Sequence, residues 1–416
     1  MNQFVEELDQ RLATLAEQGL RRELRRVDSA QGPRITIGGK TLLNFSSNDY
    51  LGLANHPALK EAATTAIETF GAGAGASRLI CGSLAPFHEL EETLAAFKGT
   101  EAALTFSTGY AAAIGTICAL LGKDDIIVMD KLVHACIVDG ARLCGAKLRV
   151  FDHNDLNDLE DILRWSLTFR LPADTPKRGL QPGVLIITES IFSMDGDAAP
   201  LREILTLKEK YDAWLMVDEA HATGLYGNNR RGMAEDLGVS DRIEIQMGTL
   251  GKALGASGGY ICGSRTLVDF LVNRARSFIF STAPVPAAAA AAMAGIQVVQ
   301  SNEGKLRCEQ LWRHVEVVGD DVRRLKSYGT DGQRLLTSSP MKASSAIIPL
   351  VIGDETKAVD LASKLRAQNI FIPAIRYPTV ARGAARLRVT LTAGHNAGEI
   401  AELLAALTTL NHEQIC

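Results

Sequence analysis

The sequence predicts an α/β fold: a mostly parallel seven-stranded sheet in a large domain, followed by a small α+β C-terminal domain. Three observations carry this. Apolar, β-rich runs recur at 103–106, 126–129, 148–151, 184–188, 214–217, 243–247 and 259–262. Helical patterns lie between several of them, at 110–121, 156–167 and 201–211. Runs such as 126–129 and 214–217 are continuously apolar, as strands covered by helices on both faces are, where a half-exposed strand would alternate.

The elements before and after this core follow from spacing. Phe4, Val5, Leu8, Leu12, Leu15, Leu20 and Leu24 recur at helical intervals, so an amphipathic helix is expected over 4–24, weakened at Gly19 and ending in the basic run 20–26. A hairpin is expected at 35–37 and 42–45, because the paired Gly38-Gly39 between them is a turn signal. Beyond the Pro/Ala-rich stretch 283–294 the alternation loosens. One long helical segment is expected over 287–325, then strands at 346–352, 370–375 and 387–391, with helices at 357–368 and 397–410. The expected domains are an N-terminal arm (1–45), a large domain (46–290) and a small one (291–416).

Composition narrows the function classes. The 416 residues are 46% hydrophobic and 22% charged, with a net charge of -4, so no global field draws nucleic acid or an anionic membrane. The nearest approach to a membrane span, 283–296, is mostly alanine and carries Pro284 and Pro286. Glu6, Glu7 and Asp9 stand where a signal peptide would be basic and then apolar. The seven cysteines are scattered with no CxxC pair, which fits reduced thiols and a cytoplasmic location.

In parallel α/β sheets, ligands bind beyond the carboxyl ends of the strands. Here those ends are chemically loaded. Run 214–217 leads into Asp218-Glu-Ala-His221, and 184–188 into Glu189-Ser-Ile-Phe-Ser193. Run 243–247 leads into Gly248-Thr-Leu-Gly-Lys252, and 103–106 into Ser107-Thr-Gly-Tyr110 at a helix start suited to an anion. The glycines near Lys252 are not a P-loop, since Gln246 stands five before Gly251 and Ala253 follows the lysine. Gly71-Ala-Gly-Ala-Gly-Ala76 spells a dinucleotide fingerprint but follows a helical pattern, not a strand. No second histidine completes a metal set, so no metal is expected. Pyridoxal phosphate fits better: it takes a lysine for a Schiff base, an acid facing its ring nitrogen and an anion cradle for its phosphate.

Several segments carry a family resemblance. Thr249-Leu-Gly-Lys-Ala-Leu-Gly-Ala-Ser-Gly258 resembles the lysine signature of class-II pyridoxal-phosphate aminotransferases, and Asp218-Glu-Ala-His221 their Asp-x-x-His element. From Asn44-Phe-Ser-Ser-Asn-Asp-Tyr-Leu-Gly-Leu53 to Arg386-Leu-Arg-Val-Thr-Leu-Thr-Ala393 the chain resembles the α-oxoamine synthases, which implies fold type I. The resemblance implies Lys252 as Schiff-base lysine and base, Asp218 on the ring nitrogen, His221 at the phenolic oxygen and His134 stacked on the ring. It implies Gly109, Tyr110 and Thr249 at the phosphate, Ser193 and Glu189 near the cofactor, and Ser281 and Thr282 reaching the phosphate of a neighbouring subunit in a homodimer with shared sites. For substrates it implies Arg376 on the amino-acid carboxylate, Arg25 on the acyl substrate, and Asn48 and Thr379 beside them. The segments Ile375-Arg-Tyr-Pro-Thr-Val380 and Ala385-Arg-Leu-Arg-Val-Thr-Leu-Thr392 favour L-alanine and a pimeloyl thioester, on coenzyme A or an acyl carrier protein. Glycine with acetyl-CoA, or the reaction of another α-oxoamine synthase, is the alternative within the family, and a catalytically inert binding protein the alternative outside it.

Overall fold

The structure, a computed structural model, describes residues 2–169, 183–327 and 345–413. The chain divides into two compact units: Leu51–Ser193 with Ala198–Cys308, and Met1–Tyr50 with Met194–Asp197 and Glu309–Cys416.

The first unit holds the sheet. Its strands are β1 (Ala102–Phe106), β2 (Ile126–Asp130), β3 (Lys147–Phe151), β4 (Val184–Glu189), β5 (Trp214–Asp218), β6 (Ile245–Thr249) and β7 (Gly259–Gly263), in the spatial order β1-β7-β6-β5-β4-β2-β3. Only β7 runs against its neighbours. Alternate residues feed two cores. Ile127, Met129, Leu185, Ile187, Met216, Ile245 and Ile261 pack under helices Gly109–Leu120, Ala135–Cys144 and Arg265–Arg274. Ile126, Val128, Val184, Ile186, Leu215 and Val217 pack under Leu156–Ser166 and Leu201–Lys210. Burial on both faces is why central strands such as β2, β4 and β5 read as nearly unbroken apolar runs, while the edge strand β3 is half-exposed.

One strand lies two residues later than its sequence pattern suggests. Ile243, though apolar and buried, only closes the short helix Ser240–Arg242, and Glu244 turns to accept the Leu215 N–H at 2.8 Å. Strand β6 therefore starts at Ile245 and ends on Thr249. The long helix expected over 287–325 is two helices, Pro286–Gln300 and Asn302–Ser327. Ser301 between them is extended, and its hydroxyl accepts the Gly304 N–H at 3.3 Å, as an N-cap does.

In the second unit, the N-terminal helix is Gln3–Glu17, shorter than the apolar spacing suggests; it stops before Gly19, and 20–26 is not helical. Strands Arg34–Ile37 and Lys40–Asn44 form the hairpin, with Ile37 opposite Lys40 and positive φ at both turn glycines. Ile347–Gly353, Ala385–Thr390 and Ala374–Ile375 form a three-stranded antiparallel sheet. The run 370–375 is not one strand. Ile370–Phe371 joins the hairpin while Ala374–Ile375 joins the other sheet, and Pro373 between them has no N–H to continue a ladder. Arg386 and Asp195 form a buried ion pair at 2.7 Å. No helix among the described residues is long and apolar enough to cross a membrane. Among them no cysteine forms a disulfide, and Cys416 lies outside the described residues.

Candidate active site

Register sets the site. Glu189 and Asp218 end neighbouring strands as direct partners, and Asp218 is in turn opposite Met247 of β6. Two carboxylates, both buried, thus stand side by side at the carboxyl edge of the sheet.

Each is held by backbone amides. Glu189 accepts the His134 N–H at 2.5 Å through one oxygen and the Ser193 N–H at 3.2 Å through the other. Asp218 accepts the Ala220 N–H at 2.8 Å. Burial pushes the Glu189 carboxyl up to about 8, helped by the negative charge of Asp218 and opposed by Lys252. Burial also raises Asp218, against the pull of Lys252 and of His134.

The basic groups face this edge. Lys252 Nζ lies 2.7 Å from His221 Nε2, which brings together two residues 31 positions apart. His134 is the N-cap of helix Ala135–Cys144, and its Nδ1 accepts the Cys136 N–H at 3.2 Å. Burial lowers its pKa, opposed by Asp218 and helped by Lys252, so the ring is neutral near pH 7. With Nδ1 accepting, the remaining proton sits on Nε2.

Helix Gly109–Leu120 presents its N-terminus to the end of β6. Thr108 caps it, accepting the Ala111 N–H at 3.0 Å. Gly259 makes the approach possible: a Cβ there would stand 2.5 Å from the Gly109 Cα and 2.6 Å from the Thr108 carbonyl oxygen. Thr249 donates to the Gly258 carbonyl at 2.9 Å and accepts the Gly251 N–H at 3.1 Å, which folds the glycine-rich turn before Lys252. Tyr110 donates to Asp139 at 2.7 Å, and that bond raises its pKa. A capped helix N-terminus with free amides suits a phosphate, and the lysine with its two acids and two histidines suits a pyridoxal ring. These residues fit pyridoxal phosphate. Among the described residues no cluster of ligating side chains could hold a metal.

Two of the expected residues sit elsewhere on this unit. Ser281 and Thr282 follow the short helix Arg276–Ile279, where Thr282 bridges to Ser77.

The residues expected on the substrate side belong to the other unit. Arg25 and Arg376 line one cavity of about 80 Å³ with Ser363, Arg366, Phe371 and Pro373. Arg376 donates to the Gly19 carbonyl, and Arg22 donates to the Thr379 hydroxyl at 3.2 Å. Burial lowers the Arg376 pKa, and the charges of Arg22 and Arg25 add to that. Asn48 accepts from the buried Arg388 at 3.1 Å. Arg366 and Arg388 escaped the sequence reading. Arg366 lies in helix Glu355–Ala367, where a basic residue reads as solvated, and the partner of Arg388 is 340 positions away.

The comparisons with known proteins agree with this geometry. The profile described as aminotransferase class I and II matches residues 40–407. The 8-amino-7-oxononanoate synthase of Geobacter sulfurreducens is 44% identical over 402 residues, covering 97% of both chains. That of Anaeromyxobacter sp. (strain K) is 44% identical over 404 residues, covering 96% of this chain and 94% of the relative. Among solved structures, Sphingomonas wittichii serine palmitoyltransferase superposes with a TM-score of 0.86 at 29% identity, covering 99% of this chain and 98% of that one. The 8-amino-7-oxononanoate synthase of Francisella tularensis gives 0.69 at 26% identity, covering 90% and 99%. The chain belongs to the aminotransferase class I and II family and, within it, groups with the 8-amino-7-oxononanoate synthases.

Proposed function

We propose that this enzyme condenses L-alanine with a pimeloyl thioester to give 8-amino-7-oxononanoate, carbon dioxide and the free thiol, a step of biotin biosynthesis. The observation that carries this reading is the 44% identity to 8-amino-7-oxononanoate synthases over nearly the whole of both chains. The acyl carrier is coenzyme A or an acyl carrier protein, the location is cytoplasmic, and the working form is a homodimer with shared sites.

Bound pyridoxal phosphate supplies a ring that accepts electrons from the α-carbon of the amino acid. The residues do the rest. Lys252 would hold the cofactor through Nζ, and the same amine, when free, would take the α-proton of alanine. Its neighbour His221, 2.7 Å away, reaches the phenolic oxygen of the cofactor. Asp218 accepts from the ring nitrogen, and a donor at its oxygen favours the anion against the burial that otherwise raises its pKa. His134 would stack on the ring and, neutral with a proton on Nε2, could donate to the carbonyl oxygen at which charge develops.

Gly109 and Tyr110 would offer backbone amides to the phosphate, and Thr249 its hydroxyl on turning from the Gly258 carbonyl. Ser193 and Glu189 flank the cofactor, and Ser281 and Thr282 serve the phosphate of the second copy. Arg376 grips the carboxylate of alanine, whose planar geometry suits a guanidinium fork. Arg25 serves the acyl substrate, with Asn48 and Thr379 beside them.

A donor–acceptor panel on purified holoenzyme tests the reading through thiol release. Alanine with pimeloyl-CoA is expected to release coenzyme A. Release from glycine with acetyl-CoA alone would assign the chain to a different condensation.

A further inference from the structure

The acid that follows Asp218 points into a second buried cluster of the same unit. Glu219 is fully buried; its Oε1 accepts the Ala234 N–H at 2.8 Å and its Oε2 pairs with Lys98 Nζ. Lys98, itself buried, ends helix Ala85–Lys98 and also donates to the Arg231 carbonyl at 2.5 Å. Between Arg231 and Ala234 the chain passes the carboxylate at Gly232, with φ at +137°; a Cβ there would stand 2.7 Å from Oε1. The Glu219 backbone is held at both ends as well. Its N–H donates to the Met247 carbonyl at 2.8 Å, and its carbonyl accepts from Ala222 at 2.9 Å and Thr223 at 2.8 Å.

Stability alone does not explain the choice of these two residues. Apolar side chains of similar volume commonly stabilise a core as well as a buried ion pair or better. What a lysine and a glutamate add is direction, because each hydrogen bond fixes an angle as well as a distance. Here the direction is imposed on the turn that carries Asp218 and His221.

We propose that Glu219, clamped by Lys98, is a positioning residue that sets how Asp218 and His221 are presented to the cofactor. The proposal rests on the assignment of those two residues made above. The Lys98 charge also balances a carboxylate adjacent to Asp218. The charged or titratable groups facing Asp218 are Lys252, His134, Glu189, Glu219, Cys136 and Tyr260. Of the carboxylates among them, Glu219 is the one paired with Lys98.

The test compares the parent with Lys98→Met, with Lys98→Met/Glu219→Leu and with Asp218→Asn. Three quantities are measured: the thermal midpoint, the dissociation constant of pyridoxal phosphate, and the pH at which the absorbance of the bound cofactor titrates. Lys98→Met is expected to lower the midpoint and weaken cofactor binding by about tenfold, as loss of an outer-shell partner does at metal sites. The double variant is expected to recover part of the midpoint, because the Ala234 N–H and the Arg231 carbonyl stay without these partners, and to keep both the weakened binding and a displaced absorbance titration. Parental affinity and titration in the double variant would reduce the pair to a structural part and overturn the proposal. Should Lys98→Met fail to fold, the double variant decides alone. Parental behaviour of Asp218→Asn would overturn the underlying assignment instead, a separate and distinguishable result.

Discussion

Lys252 Nζ and His221 Nε2 stand 2.7 Å apart at the carboxyl edge of the sheet, close enough to share one proton. Near a histidine and two carboxylates, the amine is placed for proton transfer as well as attachment. Lys252→Ala is expected to fold with an unchanged thermal midpoint, because the side chain is only half-buried at the end of a turn. Turnover is expected to fall by about a thousandfold or more, the scale of a lost general base. Borohydride treatment of the parent holoenzyme should fix the cofactor on the peptide containing Lys252; in the variant, mass spectrometry should find none there.

Gly259 lets helix Gly109–Leu120 meet the sheet, and any side chain there has to displace the backbone of Gly109 or Thr108. Gly259→Ala is therefore expected to cost about 1–3 kcal/mol of stability, the usual penalty for overpacking. Its larger effect should be on the cofactor, with affinity falling at least tenfold as the amides of Gly109 and Tyr110 shift. Calorimetry of the apoprotein separates the first effect from the second, which a fluorescence titration with pyridoxal phosphate reads.

How far the sequence was legible depends on where the physical cause lies. The central strands could be read because they are buried on both faces, which leaves a local signature; the edge strand β3 is half-exposed and shows only Leu148, Val150 and Phe151. The offset of β6 could not, because Ile243 is as apolar as a strand residue and the partner that diverts Glu244 is the Leu215 amide on another strand. The same division holds at the site. Asp218, Glu189, His221 and Lys252 announce themselves by falling just after apolar runs. Arg366, Arg388 and Lys98 do not, because their significance is made by groups far along the chain: Arg25 across a cavity, Asn48 and Glu219.

Glu189 gives the apoprotein a pH dependence whose sign is fixed. Burial holds its carboxyl up at about 8, against an ordinary 4.5. Between those values the folded protein keeps a proton that the unfolded chain releases, so this residue's contribution makes stability fall as pH rises through that window and level off above it. Glu189→Gln should remove that slope. Urea midpoints at about pH 5.5 and 8.5 check it: the variant should gain on the parent at the higher pH, and an equal difference at both would contradict the raised carboxyl. Asp218 adds a slope of the same sign, and because each carboxylate disfavours ionisation of the other, Glu189→Gln lessens that slope too.

The cavity lined by Arg25, Arg366 and Arg376 brings three guanidinium groups around about 80 Å³, and among the described residues none of the three forms an ion pair with a carboxylate. Burial lowers the pKa of Arg376 and the charges of Arg22 and Arg25 add to that, and an entering anion favours its charged form. Arg366, bonded within its own helix only to Ser363 at 3.4 Å, is the member no motif pointed to. If the terminal carboxylate of the acyl chain enters here, Arg366→Gln should raise the KM for pimeloyl-CoA by about tenfold, the value of one charge-assisted hydrogen bond, and leave kcat unchanged. The KM for alanine should hold. An acyl-CoA of the same length without the terminal carboxylate should react equally poorly with parent and variant, because the group that Arg366 recognises is missing from it. A tenfold rise for alanine instead would move Arg366 to the amino-acid side of the reaction, beside Arg376.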